Sequence, residues 1–353
     1  MTAPPADDPS LPVRRATAAD RLAWDAFARD RADGNLLQTW GWGALKEGQG
    51  WRVHRWVAGG PASAEWRAVC QVLTRRLPGG WRYGYAPRGP ALARPGDAAA
   101  ASAVLAAAAR ALRRQRLVRL TCDPEWPVGT AATEAVRARC GLRELAFDVQ
   151  HRQTWVVDLG GDEATLLAGL PAAARRNLRL AARAQVAVAP AERADGVADF
   201  FPLYAETVAR QGYLGRPEAY LHALVAALGA TVFIARLRGE PVAGAIAVTC
   251  GPRVCYLFGG TRPAAAAARP SYGLHFAIMR WGMARGCTMY DMWGVPRRFD
   301  PADPAHGYAV FKTRWGGRLV RHTGLQEVPL RGPLDPLLRR LERLALRRRP
   351  LLT

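Results

Sequence analysis

Two residues stand out for the chemistry they could do, because the chain otherwise avoids their type. Of 50 lysines and arginines only two are lysine, Lys46 and Lys312, and the other 48 are arginine. Arginine is a planar, permanently charged fork, whereas a lysine ammonium is compact, mobile and able to lose its proton. Keeping a lysine at two places suggests that those places need what arginine lacks. A biased composition leaves the same remainder, so context has to decide. Lys312 lies in the stretch 290–317, YDMWGVPRRFDPADPAHGYAVFKTRWGG, and is expected on a strand that follows the last turn. Lys46 sits near the end of a short helix, where a cation also suits the helix dipole. Asp123, in LTCDPEW, is an acid at the end of a strand and just before a proline. It could orient an amine and take its proton, or it could cap a turn. The six histidines, at 54, 151, 222, 275, 306 and 322, are isolated, and no Ser-His-Asp or Cys-His set emerges. Neither a covalent acyl-enzyme nor a metal site is expected. The six cysteines are scattered and form no C-x-x-C pair, which suggests neither a zinc site nor a disulfide framework and favours buried reduced thiols.

The elements that must position these residues follow from periodicity. Residues 18–32 read as an amphipathic helix with Leu22, Trp24, Phe27 and Ala28 on or near one face. A second short helix starts at Thr39 and ends at Gly48 or Gly50. Then come three strands, a long alanine-rich helix over 97–115, the strand leading to Asp123, a helix over 129–140 and a further strand over 142–149. The second half opens with a strand at 153–159. Helices follow on both sides of Pro171, with Asp162 as N-cap and a basic face of Arg175, Arg176, Asn177, Arg179 and Arg183. Two more helices lead to a three-strand meander over 231–261, a helix from Ser271 and a strand over 288–295. Each half thus runs helices, meander, long helix, strand and Asp-containing turn. That predicts an α/β (α+β) protein with two tandem GNAT-like acyltransferase domains. The expected boundaries are a disordered tail over 1–11, domains over 12–152 and 153–317, and a segment over 318–353. That last segment returns to the first domain and ends in a basic amphipathic helix.

The formal net charge of +21 favours polyanionic partners: nucleic acid, anionic lipid or phosphorylated substrates. No apolar run reaches the roughly 18 residues of a membrane span, and the N-terminus lacks the pattern of a signal peptide. A cytoplasmic monomer is expected, with peripheral contact to an anionic membrane left open by the basic C-terminal helix.

The landmarks LLQTWGWGALKEGQGW, YGYAPRGP, LTCDPEW, QHRQTWVVDL, ARRNLRLAARAQVAV, GYLGRPEAYLHAL, YLFGGT, and YDMWGV followed by GYAVFKTRWGG occur in this order. Over roughly 12–330 the chain resembles the FemABX family of peptidoglycan bridge-forming aminoacyltransferases. No coiled-coil arm is expected, since no heptad segment interrupts 184–231. The resemblance implies transfer of an amino acid from aminoacyl-tRNA to the stem-peptide amine of a peptidoglycan precursor, UDP-MurNAc-pentapeptide or lipid II. It implies no cofactor. It implies that Lys312 stabilises charge at the reacting ester carbonyl and that Asp123 faces the incoming amine. Lys46 and Arg216 would hold the precursor's phosphates, with Trp42, Tyr220 and Tyr256 lining its site. Two other readings stay open: an N-acyltransferase using another acyl donor such as acyl-CoA, and a non-catalytic basic protein binding RNA or membrane. Against acyl-CoA, the segment before the helix at 271, GTRPAAAAARPSYG, lacks the R/Q-x-x-G-x-G/A loop.

Overall fold

The computed structural model describes residues 11–31, 34–191, 193–212, 214–303 and 306–330. The expected tail before Leu11 and the basic helix expected after residue 331 lie outside the described residues. The chain divides into two compact units. One is built from the chain up to Arg152 together with the chain from Arg321, and the other spans Gln153–Val320.

The first unit opens with strand β1 (Val13–Arg15) and helix α1 (Arg21–Ala26), whose last turn widens into a π-turn over Phe27–Arg31. Trp24, Phe27 and Ala28 are buried, but Leu22 is 85% exposed, so the apolar face is narrower than the periodicity predicts. Helix α2 (Trp40–Glu47) starts at Thr39, whose hydroxyl accepts the Trp42 amide. Strands β2 (Arg52–Gly59), β3 (Trp66–Arg76), β4 (Arg82–Ala86) and β5 (Ala91–Leu92) follow, then helix α3 (Ala98–Arg113) and strand β6 (Leu117–Cys122). Helix α4 (Ala131–Cys140) leads to β7 (Arg143–Glu144), so the strand expected over 142–149 is only two residues long. Asp97 caps α3, accepting from the Ala100 amide while holding Arg67 in a two-point ion pair. The buried residues of α3, including Ala100, Ala101, Val104, Leu105, Ala108 and Leu112, repeat at helical spacing. Their small size lets the helix lie close on the sheet.

The second unit contains β8 (Gln153–Asp158), α5 (Glu163–Gly169), α6 (Ala172–Arg183), β9 (Ala187–Ala191), α7 (Arg193–Gln211) and α8 (Glu218–Leu228). Next come β10 (Thr231–Leu237), β11 (Glu240–Cys250), β12 (Arg253–Thr261), α9 (Pro270–Met283), β13 (Met289–Gly294), α10 (His306–Thr313) and β14 (Arg318–Arg321). Strand β15 (Gln326–Val328) then pairs antiparallel with β6, placing it in the sheet of the first unit. The sheet orders are β1-β2-β3-β4-β6-β15-β7, with β5 on β3, and β14-β8-β13-β12-β11-β10-β9. In the second unit Ala243, Ala245 and Ala247 of β11 share a core cluster with Leu274, Ile278 and Met279 of α9. The intervening Gly244 abuts Phe200 of α7. Successive strand residues point to opposite faces, so α9 and α7 cover opposite faces of one sheet. Residues 184–231 hold β9, α7 and α8, and no long helical hairpin occurs among the described residues.

The segment carrying Lys312 is not a strand, as the sequence reading has it, but the helix α10. Its two buried residues, Ala309 and Lys312, are three apart. That is helical spacing and cannot share one face of a strand. Arg175, expected on the basic face of α6, instead donates to the carbonyls of Ala168 and Leu170, bridging the break at Pro171.

Candidate active site

The parallel pair β12–β13 shapes the second unit. Its ladder holds for only three partners, Arg253–Met289, Val254–Tyr290 and Cys255–Asp291. Beyond them β12 runs on along β11 to Thr261, while β13 turns against Thr154 of β8 at Gly294. The strands part, leaving one edge of β12 from Tyr256 onward without a ladder partner. In the first unit the corresponding pair, β4–β6, stays laddered from Arg82–Leu117 to Ala86–Cys122. Only the second sheet opens in this way.

Trp293 creates the turn on the β13 side. Its φ of +66° is the left-handed region that a bulky residue rarely enters. Its amide donates to Asp291 Oδ1 at 2.8 Å, and that oxygen also accepts the Thr154 hydroxyl. The turn leaves the Gly294 carbonyl accepting from Lys312 Nζ at 2.7 Å. Lys312 is buried, with Nζ 5.0 Å from the Tyr308 ring centre and 6.0 Å from that of Tyr256. Burial pushes its pKa down to about 7, opposed by the negative charge of Asp291. An ammonium in an aromatic setting is attracted to the ring faces, but here loss of water outweighs that and leaves it close to giving up its proton at neutral pH.

His275 sits beside it, packed at 4.8 Å against Tyr256 and 5.1 Å against Phe311, with Nδ1 2.7 Å from the Tyr290 hydroxyl. Burial, reinforced by the Lys312 charge, holds its pKa down to about 3, so the imidazole is neutral. The glycines of YLFGGT have separate reasons. A Cβ on Gly259 would lie 1.9 Å from the Tyr256 hydroxyl, so that ring fills the space of the missing side chain. A Cβ on Gly260 would lie 2.4 Å from the backbone of Leu203, so α7 can approach β12 only at glycine. In the motif around Lys312, Trp315 is buried against Tyr272 and His275, and Gly316 and Gly317 turn the chain at positive φ into β14.

The remaining sequence-predicted residues lie elsewhere in their units. Arg216 stacks on the Tyr220 ring at 5.3 Å, and its amide donates to the Tyr204 hydroxyl. Tyr220 is itself buried beneath it. In the first unit Lys46 Nζ lies 4.6 Å from the Trp42 ring centre. Asp123 follows β6 and is buried, accepting from the Tyr85 hydroxyl and the Arg88 amide at 2.7 Å each. Burial raises its pKa to about 6, opposed by the charge of Arg88. It thereby ties the chain after β4 to the end of β6, the place where the other sheet opens. The sequence reading missed Asp291, Trp293, His275 and Tyr308. The duplicated pattern held a signal for Asp291, which ends the second half as Asp123 ends the first.

Comparison with known proteins fits this geometry. The FemAB family model matches residues 20–237, more than half of the chain. The chain belongs to the FemAB family. Residues 172–324 also match an acetyltransferase (GNAT) domain, the segment that contains the parted strands and Lys312. The fold is a tandem GNAT-like one, and the family is one of acyl- and aminoacyl-transferring enzymes. A lipid II:glycine glycyltransferase of Staphylococcus saprophyticus is 22% identical over 394 residues, covering 91% of this chain and 94% of that protein. Its Staphylococcus aureus counterpart is 21% identical over 398 residues, covering 90% and 93%. The crystal structure of FemX superposes with a TM-score of 0.83 at 19% identity, over 94% of this chain and 99% of that one. Among the described residues no helix is long and apolar enough to cross a membrane.

Proposed function

We propose that this FemAB member transfers an amino acid from aminoacyl-tRNA to the stem-peptide amine of a peptidoglycan precursor, UDP-MurNAc-pentapeptide or lipid II. The observation that carries this reading is the buried Lys312 ammonium beside the parting of β12 and β13. The reaction is aminolysis of an ester. The precursor amine attacks the aminoacyl carbonyl, an oxyanion develops, the C–O bond to the terminal ribose breaks and the ribose oxygen takes a proton, while the attacking nitrogen, positively charged after attack, releases one to solvent as the amide forms. Lys312 stabilises the oxyanion. With its pKa brought down to about 7, it is also suited to hand the leaving oxygen that proton. Neutral His275 and the aromatic rings exclude water without competing as cations. Tyr256 lines the opened edge of β12.

Lys46, on its Trp42 platform in the first unit, is a phosphate ligand for the precursor, and Arg216, on Tyr220 in the second unit, is another. Asp123, which the resemblance places facing the amine, has both oxygens engaged and fixes the chain after β4 within the first unit. The GNAT match favours one other reading, acyl-CoA as donor. Against it, the chain between β12 and α9 is wound into a 3₁₀ helix over Pro263–Ala268. The amides of Arg262, Ala265, Arg269 and Tyr272 donate to carbonyls of this unit and so are not free to cradle a pyrophosphate. Incubating the chain with labelled aminoacyl-tRNA or labelled acetyl-CoA, and with either precursor, separates the readings. Label moving only from the tRNA supports the proposal, and label moving only from acetyl-CoA ends it.

A further inference from the structure

The first unit carries a second feature that this chemistry does not use. An open, shallow concavity of about 600 Å³ is lined by five arginines, Arg52, Arg76, Arg82, Arg114 and Arg116. They come from the start of β2, the end of β3, the start of β4 and the link from α3 to β6. All therefore lie at the end of the sheet opposite Asp123. The five residues of β4 alone separate the two ends by about 13 Å. None of the residues assigned above to transfer or to precursor binding lines the cavity.

The backbone builds this pocket. Arg116 has a φ of +62°, and its carbonyl accepts the Arg82 amide at 3.0 Å. Its guanidinium lies 4.7 Å from the Trp81 ring centre. Gly80 keeps that approach open, since a Cβ there would sit 3.3 Å from Arg116 Nη1. Several other arginines of the unit are neutralised, as in Arg67–Asp97, Arg143–Glu327 and Arg152–Asp148. None of the five pocket arginines forms an ion pair with a carboxylate among the described residues. Their field reaches inward. Burial first, then the charges of Arg15, Arg52 and Arg82, hold the pKa of His54 down to about 4.

Five uncompensated like charges in one concavity repel one another, and an anion relieves that repulsion. Guanidinium forks match phosphate oxygens two at a time, so five exceed what one phosphate engages and suit a row of them. The lining holds no large apolar side chain, only the arginines, Gly80 and Gln115. The exposed hydrophobics of this unit, Leu22, Val128 and Phe147, lie outside it. A membrane-surface site needs apolar area to bury alongside its charge, whereas an RNA backbone needs charge and hydrogen-bond donors. We propose that the arginine pocket docks the phosphate backbone of RNA, and that this RNA is the body of the donor tRNA, away from its aminoacylated end. The identity of the RNA rests on the aminoacyl-tRNA reading above.

The test measures binding of unacylated tRNA to the full chain by fluorescence anisotropy across 50–200 mM salt. The wild type is compared with Arg82→Gln/Arg116→Gln and Arg114→Gln/Arg116→Gln. Each lost phosphate contact should lower the slope of log affinity on log salt by about one, and each double variant should bind at least about tenfold more weakly. Thermal melting should not fall, since removing like charges relieves repulsion, and lysine at the same positions should restore part of the affinity. With aminoacyl-tRNA the variants should raise KM, while turnover of a short aminoacylated oligonucleotide with the tRNA 3′ sequence stays at the wild-type level. Unchanged tRNA affinity in both double variants would overturn the pocket. So would arginine-dependent binding to phosphatidylglycerol vesicles with no effect on RNA. If RNA binding falls in the variants but the wild type transfers nothing from aminoacyl-tRNA, the pocket stands and the donor reading fails.

Discussion

At the scale of single residues, Lys312 couples stability to activity. Its pKa falls from 10.5 to about 7 on folding, so between those values the unfolded chain binds more protons than the folded one. Stability contributed by this group therefore rises with pH from about 7 to 10.5 and is lowest below 7. Lys312→Met should flatten that slope and melt at a higher temperature than the wild type at pH 7. Calorimetry from pH 6 to 10 checks both, and a lower melting temperature at every pH would show the ammonium to be structurally favourable. The rate should respond in the opposite sense. The protonated form does the work, so kcat/KM in the wild type should show the loss of that form beginning near pH 7, a titration that Lys312→Met should remove. Lys46→Ala and Arg216→Ala remove charge-assisted contacts worth roughly 1.5–3 kcal/mol. They should raise KM for the precursor about tenfold to a hundredfold with a smaller change in kcat. Unchanged KM in steady-state assays would remove either residue from the diphosphate.

Among elements, the decisive contrast is between the two parallel strand pairs that occupy corresponding places in the two units. Asp123 accepts the Arg88 amide and ties the chain after β4 to β6. Asp291 instead accepts the amide of Trp293, two residues on in its own strand, and β13 turns away from β12. The same residue type thus closes one sheet and helps open the other. The contact of α7 with β12 at Gly260 sets the far side of that opening. Gly260→Ala places a methyl 2.4 Å from the backbone of Leu203. The expected cost is of the order of 1–3 kcal/mol, as for other overpacked sites, read as a lower denaturant midpoint. Wild-type stability would mean that the helix can shift without loss. Much at this level is legible in the sequence, because local rules govern it. Thr39 and Asp162 cap the helices they announce, and both meanders follow from alternation and their turns. The failures lie where tertiary contacts rule. HGYAVFKT alternates well enough for a strand, but packing of Ala309 and Lys312 on one side makes it a helix. Leu22 fits the helical period yet finds nothing to cover it.

For the whole molecule, the excess of arginine has two readings, general solvation or specific docking of polyanions. The charge is paired at many sites in the first unit and unpaired at the cavity around Arg116, which argues that part of it is specific. Scarcity of lysine was the most informative feature of the composition. It directs attention to Lys46 and Lys312 but says nothing of what surrounds them. The duplicated pattern points to Asp291, but Trp293 and His275 had no comparable signal, because their roles arise from a sheet opening that no local spacing encodes. The measurement that bears most directly on the central claim is single-turnover transfer of labelled amino acid from charged tRNA to UDP-MurNAc-pentapeptide and to lipid II, comparing the wild type with Lys312→Met. Removal of an oxyanion-stabilising group predicts a rate about 10²–10³-fold lower, with precursor binding retained in a separate equilibrium assay. Transfer at the wild-type rate in the Lys312→Met chain would contradict the account.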